Sequence, residues 1–411
     1  MLNGYAIVFA ALLVPAGRLA DLYGRKRAFA AGLALFTLAS AACAAAPTPG
    51  FLIAARVVQG AGAAILTPAS LGVVLPGFPA RSRPAVIAAW AAVGAVGAAA
   101  GPALGGLLVQ ASWRWVFLVN LPLGVVSIWY ATLRIDESRD PHARGLPDVA
   151  ATAALMVGIG ALTLALVKGR EWGWAAPGTT AAFAVAAIAL TVAVVRSTRH
   201  PVPVLELPIL RVPSFAFAVA AAFAFFAAFA ALLLAGVLFL TQIWGQSILR
   251  AGLELAVGPL AALAFAGVAT RLAPRYGMAS VGTVGGLLVA AGIAVNATRL
   301  GLTPDYVRDF LPGQVLTCAG VGLSMPAFTA VAVSAVGPTR FATAIGISSM
   351  FRQVGGALGV AAFVAVVGTP ARAQALDAYR HGWLFMAVAA VVGAVCMLAA
   401  HRSPTPADVS H

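Results

Sequence analysis

Apolar stretches of bilayer length recur along the whole chain, and they limit what it can fold into. A bilayer core about 30 Å thick needs roughly 20 apolar residues in a helix, and the 411-residue chain supplies about thirteen such stretches. Only 9% of the residues are charged, whereas a soluble domain carries roughly a quarter. The chain therefore lacks the charges that would cover a water-facing surface, and the sequence predicts an all-α membrane protein.

Proline and glycine clusters separate the apolar stretches, because these residues interrupt helices. The clusters set the expected ends of each span to within a few residues. We expect spans at about 2–20, 28–46, 51–75, 84–109, 115–133, 147–168, 178–197, 214–240, 250–270, 279–298, 309–334, 341–367 and 382–401.

The basic residues fall mostly on one side of these spans. We place the loop that holds Arg25, Lys26 and Arg27 in the cytoplasm and let the sides alternate from there. Sixteen Lys and Arg residues then lie on the cytoplasmic side and eight on the opposite side. Because such a bias orients membrane proteins, it predicts a multi-pass protein of the plasma (inner) membrane with a cytoplasmic C-terminus.

The net charge of +14 has two interpretations. In a soluble protein it would indicate nucleic-acid binding. Here the cations lie in short loops between spans, where they set topology and contact lipid headgroups. We therefore expect the lipid bilayer as a partner and no nucleic acid.

Motifs for enzymatic chemistry, metal binding and disulfides do not occur in the sequence. Cys43, Cys318 and Cys396 lie in apolar stretches without CxxC spacing, and the five histidines lack ligand spacing. The chain has no GxxxxGK[ST] phosphate loop, no HExxH and no GxSxG elbow between a strand and a helix. We expect neither an enzyme nor a cofactor or metal.

A short repeat divides the chain into halves. GRLADLYG at 17–24 and TRLAPRYG at 270–277 share five of eight positions, each between two predicted spans. Repeated halves of this kind build two-bundle transporters. The pattern predicts two pseudo-symmetric helical bundles, at 1–133 and at 201–411 with a short cytoplasmic tail. Residues 134–200 are expected to form a cytoplasmic linker and an inserted helix pair.

The segment GRLADLYGRKRAF at 17–29 resembles the cytoplasmic loop motif of the major facilitator superfamily. Gly17 and Gly24 permit a tight turn and close backbone approach. Asp21 can cap a neighbouring helix or pair with Arg25, and Lys26 adds a further cation. We expect a latch that holds the two bundles together in one state and releases them in the other. The alternative is a solvated charged loop that only orients the chain.

LIAARVVQGAGAA at 52–64 resembles the fourth-helix motif of the same superfamily. An Arg within a span costs at least about 2.5 kcal/mol unless it is paired or wetted, so Arg56 is expected to face a central cavity beside Gln59. The resemblance implies a role for this Arg in proton handling. The alternative is an Arg that snorkels to the nearer membrane surface.

GAVGAAAGPALGGLL at 94–108 resembles the antiporter motif of the fifth superfamily helix, which marks exporters. Its small residues recur every four positions and permit close helix approach, and its proline bends the helix. Ordinary small-residue packing is the alternative. The motif residues are Gly97, Gly101, Pro102, Gly105 and Gly106.

Three further segments resemble the superfamily's drug:proton antiporter branch with fourteen helices. They are WRWVFLVNLPLG at 113–124, LPGQVLTCAGVGLSMPAF at 311–328 and ISSMFRQVGGALGVA at 347–361. The last segment carries Arg352 and Gln353, a second polar pair within a predicted span. We expect this pair to face the cavity.

The resemblance departs from the family at the start of the chain. In this branch the helix before the GRLAD motif usually carries an embedded Asp, and Met1 opens directly into the second family helix. Of the twelve acids, eleven lie in loops, near span ends or in the tail, and only Glu254 falls inside a predicted span, near its outer end. We expect the native start to lie upstream of Met1. The alternatives are proton coupling through Glu254 or Asp21, and an inactive form.

These features together predict efflux of amphipathic organic compounds in exchange for protons, by alternating access between two bundles. A truncated, transport-incompetent membrane protein and a nutrient importer are the alternatives. The sequence carries no signal for the oligomeric state. The substrate cavity candidates are Asn120, Phe225, Phe226, Phe229 and Gln314.

Overall fold

The computed structural model describes residues 2–74, 77–79, 104–139, 145–146, 148–336, 341–368, 370 and 374–403, with single positions 86, 90, 93, 97 and 101. All regular secondary structure in these ranges is helical. The long helices are α1 Leu2–Tyr23, α2 Arg25–Ala44, α3 Pro49–Val74, α4 Trp115–Arg134, α5 Val149–Trp172, α6 Pro177–Arg199, α7 Pro213–Ile243, α8 Ile248–Tyr276, α9 Met278–Arg299, α10 Tyr306–Ser334, α11 Phe341–Val367 and α12 Ala375–Arg402. Residues 104–111 and Leu207–Leu210 are also helical.

Eleven of these helices, α2 to α12, are long and apolar enough to cross a membrane. They correspond to eleven of the predicted spans. The predicted span 2–20 corresponds to α1, and the predicted span 84–109 lies mostly outside the described residues. The largest shift is at α12, which begins at Ala375 rather than at 382. Its first turns carry Asp377 and Arg380, polar residues that an apolar window omits.

Contacts divide the chain into two compact units. Unit 1 consists of Met1–Gly94, Leu107–Leu162 and Ala181–Glu206, and unit 2 consists of Ala95–Gly106, Thr163–Thr180 and Leu207–His411. The boundaries fall inside α5 and α6, so each of these helices contributes residues to both units. The three-part division expected from the sequence stays a prediction.

Unit 1 is centred on a close crossing of α2 and α3. A Cβ added at Gly62 would lie 2.6 Å from the backbone nitrogen of Phe36, and one added at Gly32 would lie 2.8 Å from that of Leu66. Such distances leave no room for a side chain, so glycine lets the two backbones touch. The crossing brings the middle of α3 against α2, where the candidate site of this unit lies.

Unit 2 contains a larger buried core, built mainly from α7, α9, α10, α11 and α12. Gly355 and Gly359 of α11 lie directly on the backbone of Phe223 and Ala227 in α7. Without a hydrophobic driving force between helices in lipid, close van der Waals packing of this kind holds the helices together.

The repeated octapeptides form the same turn in the two units. Gly24 alone separates α1 from α2, and Gly277 alone separates α8 from α9. Their φ angles are 116° and 78°, values that side chains rarely adopt and that glycine tolerates. The glycine at the end of the repeat is thus a backbone requirement in both halves.

Candidate functional site

Arg56 heads a chain of hydrogen bonds inside unit 1. Its Nη1 donates to Gln59 Oε1 at 2.6 Å, and Gln59 Nε2 donates to Ser40 Oγ on α2 at 2.6 Å. Ser40 in turn donates to the carbonyl of Phe36 at 2.8 Å. Gln59 is 1% exposed and Ser40 is fully buried. The charge on Arg56 is therefore linked to a polar group on the neighbouring helix.

Aromatic rings complete the surroundings of Arg56. Its guanidinium lies 4.3 Å from the ring centroid of Tyr5 on α1 and 5.8 Å from that of Phe117 on α4. Cation–π contacts of this kind contribute about 0.5–2 kcal/mol, and together with the bond to Gln59 they offset the cost of placing an Arg in a span. These contacts favour an Arg56 that is held inside the unit over one that snorkels to the membrane surface.

Arg352 of α11 is held in unit 2 by hydroxyl groups. Its Nη2 donates to Ser349 Oγ at 2.6 Å, and its Nη1 lies 3.5 Å from Thr329 Oγ1 on α10. The ring of Phe226 on α7 lies 5.6 Å from its guanidinium carbon. Gln353, its neighbour in sequence, is half-buried.

The three candidate phenylalanines of α7 form one cluster with Phe328 of α10. Their ring centroids are 4.8–6.2 Å apart. Phe225 is 1% exposed, whereas Phe226 and Phe229 are half-buried. Phe225 thus packs within the core of unit 2, and Phe226, which also faces Arg352, is the better placed of the three to meet a ligand.

Glu254 is a nearly buried carboxylate near the start of α8. Its side chain is 12% exposed, and Arg250 Nε lies 2.9 Å from its Oε1. Gln246 Nε2 donates to the same oxygen at 3.2 Å. Glu254 Oε2 is buried and has no hydrogen-bond partner among the described residues. A carboxylate oxygen without a donor is an acceptor for a proton or for a donor group of a ligand.

A proline opens the α8 backbone beside this carboxylate. Pro259 has no N–H, so the carbonyl of Leu255 loses its donor within the helix. Gln314 Nε2 of α10 donates to the carbonyls of Leu255 and Glu254 at 3.1 and 3.0 Å. The hydroxyl of Tyr306 lies 2.7 Å from the same Glu254 carbonyl. The amide nitrogen of Gln314 thus satisfies backbone groups next to Glu254.

The loop motif at 17–29 is organised by two carboxylates. Asp21 pairs with Arg25 at 2.9 Å within one helical turn. Glu137, from the segment after α4, accepts hydrogen bonds from the backbone N–H groups of Lys26 and Arg27 at 3.0 and 3.3 Å. Glu137 therefore caps the N-terminus of α2, and Asp21 takes the pairing role of its two expected roles.

Other predicted residues have simpler surroundings. A Cβ at Gly97, Gly101 or Gly105 would meet no described atom within 4 Å, whereas one at Gly106 would lie 3.2 Å from the Ile248 carbonyl. Pro102 lies outside the described residues. A Cβ at Gly17 would make ordinary contact with Pro68, and Asn120 is half-buried on α4.

A buried ion pair joins the ends of the inserted helices within unit 1. Arg196 binds Asp148 through three hydrogen bonds of 3.0–3.1 Å, and the Asp148 side chain is 1% exposed. Burial alone raises the pKa of Asp148. The bonds from Arg196 and the Ala151 N–H, with the charges of Arg196 and His200, outweigh that effect and hold the pKa below its usual range.

Comparison with known proteins decides the family. Residues 1–360 match the Major Facilitator Superfamily. The chain belongs to the major facilitator superfamily. It is therefore a multi-pass membrane transporter and not an enzyme, and the all-helical fold expected from the sequence is confirmed. The described residues contain no group of three or more His, Cys, Asp or Glu that could hold a metal ion.

Several relatives within this superfamily carry drug-related names. A methylenomycin A resistance protein of Streptomyces coelicolor is 34% identical, over 89% of this chain and 77% of its own length. A cephamycin export protein of Amycolatopsis lactamdurans is 32% identical, over 100% of this chain and 86% of its own length. An autoinhibited peptide transporter of the POT family has the same fold, with a TM-score of 0.70 at 15% identity over 98% of this chain and 88% of its own.

Sequence patterns predicted some of the contacts in the candidate site and missed others. The Arg56–Gln59 contact follows from helical spacing and was predicted. Glu137 was not, because Lys26 is 111 residues from it. Gln246 was not either, because its contact with Glu254 depends on the turn between α7 and α8. A polar residue in a loop gives no signal of where its side chain will bind.

Proposed function

We propose that the chain exports amphipathic organic compounds in exchange for protons by alternating access. The names of its relatives support efflux of drug-like substrates. The resemblance of residues 94–108 to the antiporter motif supports the same direction. The protein would lie in the plasma membrane with its C-terminus in the cytoplasm, as the distribution of basic residues indicates.

The observation that carries proton coupling is the state of Glu254. Among the described residues it is the acid that lies inside a span, is nearly buried and has one oxygen without a donor. Ionisable residues inside membranes are costly and mark ion and proton pathways. Glu254 is therefore proposed as the group that takes up the proton, with Arg250 as the ionic partner of its charged form.

Arg56 and Arg352 are proposed as the fixed cations of the two units. Each is held by a hydrogen bond to a residue three positions away and by an aromatic ring. Their charge attracts anionic groups and disfavours a second cation nearby. Gln59 and Gln353 are proposed to act beside them, and the loop at 17–29 as the latch.

Transport in everted membrane vesicles tests the proposal. Vesicles that contain the protein are expected to take up ethidium when the interior is acidic, and to release protons as they do so. Glu254→Gln is expected to reduce both fluxes at least tenfold. Glu171→Gln, the same change at a 64% exposed acid, is the matched control and leaves both unchanged.

Three results would contradict parts of this proposal. Ethidium movement in the opposite direction would identify an importer. An absence of any flux would identify a transport-incompetent protein. Unchanged proton release in Glu254→Gln would remove Glu254 from the coupling mechanism while leaving efflux intact.

Arg56→Ala is expected to abolish coupled transport without abolishing membrane insertion. The change removes the cation that Gln59, Tyr5 and Phe117 hold, but it leaves the apolar span intact. Drug resistance of cells that express the variant measures transport, and immunoblotting of membranes measures insertion. Arg299→Ala, at an exposed helix end, is the control, and wild-type resistance in the Arg56 variant would refute the role.

A further inference from the structure

Gln246 and Glu254 share one hydrogen bond, and among the described residues each side chain has one oxygen without a donor. Gln246 Nε2 donates to Glu254 Oε1 at 3.2 Å. The remaining two atoms, Gln246 Oε1 and Glu254 Oε2, are both buried and both lack a hydrogen-bond partner among the described residues. Each of the two hydrogen-bonded side chains thus carries one buried acceptor without a donor in the described part of the chain.

The orientation of the Gln246 amide follows from its neighbour. An ionised carboxylate only accepts hydrogen bonds, so the amide must turn its nitrogen to Glu254 Oε1. Its own oxygen is then left without a donor. A buried unsatisfied acceptor costs about 1–3 kcal/mol, and this pair carries two of them. One added hydrogen would serve both atoms, because a protonated Oε2 can donate to the amide oxygen.

The backbone holds Gln246 in this position. Gly245 adopts a φ of 66° and turns the chain between α7 and α8. The N–H of Gln246 then donates to the Leu240 carbonyl at 3.0 Å, and Ser247 caps the first turn of α8 by accepting from the Arg250 N–H. The last residues of α7, Phe239–Ile243, form a π-helical turn, a feature frequent at functional sites.

We propose that Gln246 is a positioning residue for proton uptake, which holds protonated Glu254 in a two-bond acid–amide pair. The inference rests on the proposed function, in which Glu254 takes up the proton. The proton comes from water and binds Glu254 Oε2. The resulting O–H donates a hydrogen bond to Gln246 Oε1, while the amide N–H of Gln246 continues to donate to Glu254 Oε1. Glu254 loses its charge, and Arg250, 67% exposed, stays solvated without its ionic partner.

The other polar groups recorded beside Glu254 are engaged elsewhere. On α10, the Tyr306 hydroxyl lies 2.7 and 2.8 Å from the Glu254 carbonyl and Gln314 Oε1, and its single hydrogen serves those acceptors. Both Gln314 N–H groups point to backbone carbonyls. The Cys318 sulfur packs against Gly258. On its own helix, Arg250 binds Oε1. Among the described residues, Gln246 is thus the partner left for Oε2.

Infrared difference spectroscopy of the reconstituted full chain between high and low pH tests the pair. Protonated Glu254 is expected to show a carboxylic C=O band that Glu254→Gln removes. Both bonds of the acid–amide pair weaken that C=O bond, so Gln246→Leu is expected to shift the band to higher frequency. Gln242→Leu, the same change at an exposed amide four residues earlier, is expected to leave it in place.

Each outcome separates the inference from the proposed function. A Glu254 band that keeps its frequency in Gln246→Leu would overturn the acid–amide pair and leave proton uptake by Glu254 intact. The absence of any Glu254 band in the wild type would overturn the proposed proton site itself. If Gln246→Leu does not fold, Gln246→Met, which keeps the length of the side chain, gives the same readout.

Discussion

The two glycine turns of the repeated octapeptides have similar backbone conformations and differ in the residues that surround them. Gly24 and Gly277 each stand alone between two helices at positive φ. A Cβ at Gly24 would collide at 2.6 Å with the carboxylate of Glu137, whereas among the described atoms one at Gly277 would meet only His401, at 3.9 Å. The first loop is thus filled by a carboxylate from a distant segment, and among the described residues no carboxylate fills the second.

The same contrast holds for the ion pairs of the two units. In unit 1, Arg18–Glu206, Arg27–Glu137 and Arg196–Asp148 join segments far apart in the chain. In the described part of unit 2, every ion pair joins residues three or four apart. The repeat thus reproduces the turn in both units, and close glycine packing is found in both. Ion pairs between distant segments occur, among the described residues, in unit 1.

Gly24→Ala is expected to have the largest effect on stability. Positive φ costs a side chain about 1–3 kcal/mol, and displacement of Glu137 adds about 1–2 kcal/mol for lost bonds to the α2 N-terminus. The free energy of unfolding in detergent is expected to fall by about 3 kcal/mol. Gly277→Ala, which carries the backbone cost alone, is the matched control, and equal losses in the two variants would break the comparison.

Asp148→Asn is expected to lower the free energy of unfolding by about 2 kcal/mol, because it breaks an ion pair whose carboxylate is buried. The cost stays moderate because Arg196, which loses its partner, is itself half-exposed. The pKa of Asp148 is lowered in the folded state. Its contribution to stability is therefore present above the unfolded pKa of about 3.9 and is lost as pH falls through the folded pKa.

Denaturant titrations at pH 7 and below pH 4 measure both effects. Asp148→Asn is expected to lack the acid-induced loss that the wild type shows. Asp377→Asn, at a 71% exposed acid in a local pair, is expected to change stability by less than about 0.5 kcal/mol. A variant that matches the wild type at both pH values would show that the pair contributes nothing.

Glu137→Gln is expected to cost about 1 kcal/mol. The amide keeps an oxygen for one backbone N–H but loses the charge that favours a helix N-terminus. Thermal unfolding in detergent measures the change. Asp136→Asn, at an exposed neighbouring acid, is the control. A larger loss of stability in this variant would show that Glu137 is not the carboxylate that caps α2.

Asp21→Asn is expected to cost about 0.5 kcal/mol at most, because its pair with Arg25 spans one helical turn. If the loop at 17–29 is the latch, drug resistance is nevertheless expected to fall at least tenfold. Resistance and thermal stability measured on one preparation separate these effects. Resistance at the wild-type level would show that Asp21 is a solvated surface charge and not part of a latch.

Most helices were predictable because the bilayer imposes a length on each span. The start of α12 was not, since its polar first turns lie outside the apolar window. In the site, Gln59 was predictable from its spacing to Arg56. Phe225 was expected as a possible cavity wall, and the structure places it in the core of unit 2, because helical spacing does not distinguish lipid, cavity and neighbouring helix.

Gln314 shows a second limit of sequence reasoning. It was expected among the candidates for the substrate cavity. In the structure its amide nitrogen serves the two carbonyls beside Pro259. The sequence shows that Pro259 leaves a carbonyl without a donor, but the residue that replaces the donor lies on another helix.

The sequence by itself determined that the chain is a bundle of membrane helices and where its repeated turn falls, and the side that its cations favour stays a prediction. These properties depend on apolar length, local charge and glycine, and each is decided within about 25 residues. Only the tertiary structure decided that Glu137 caps α2, that Ser40 extends the Arg56 chain and that Gln246 faces Glu254. The first two contacts join different segments of the bundle, and the third depends on the turn that Gly245 makes between α7 and α8. Contacts across a helix crossing or a turn depend on backbone geometry, which apolar length and local charge do not encode.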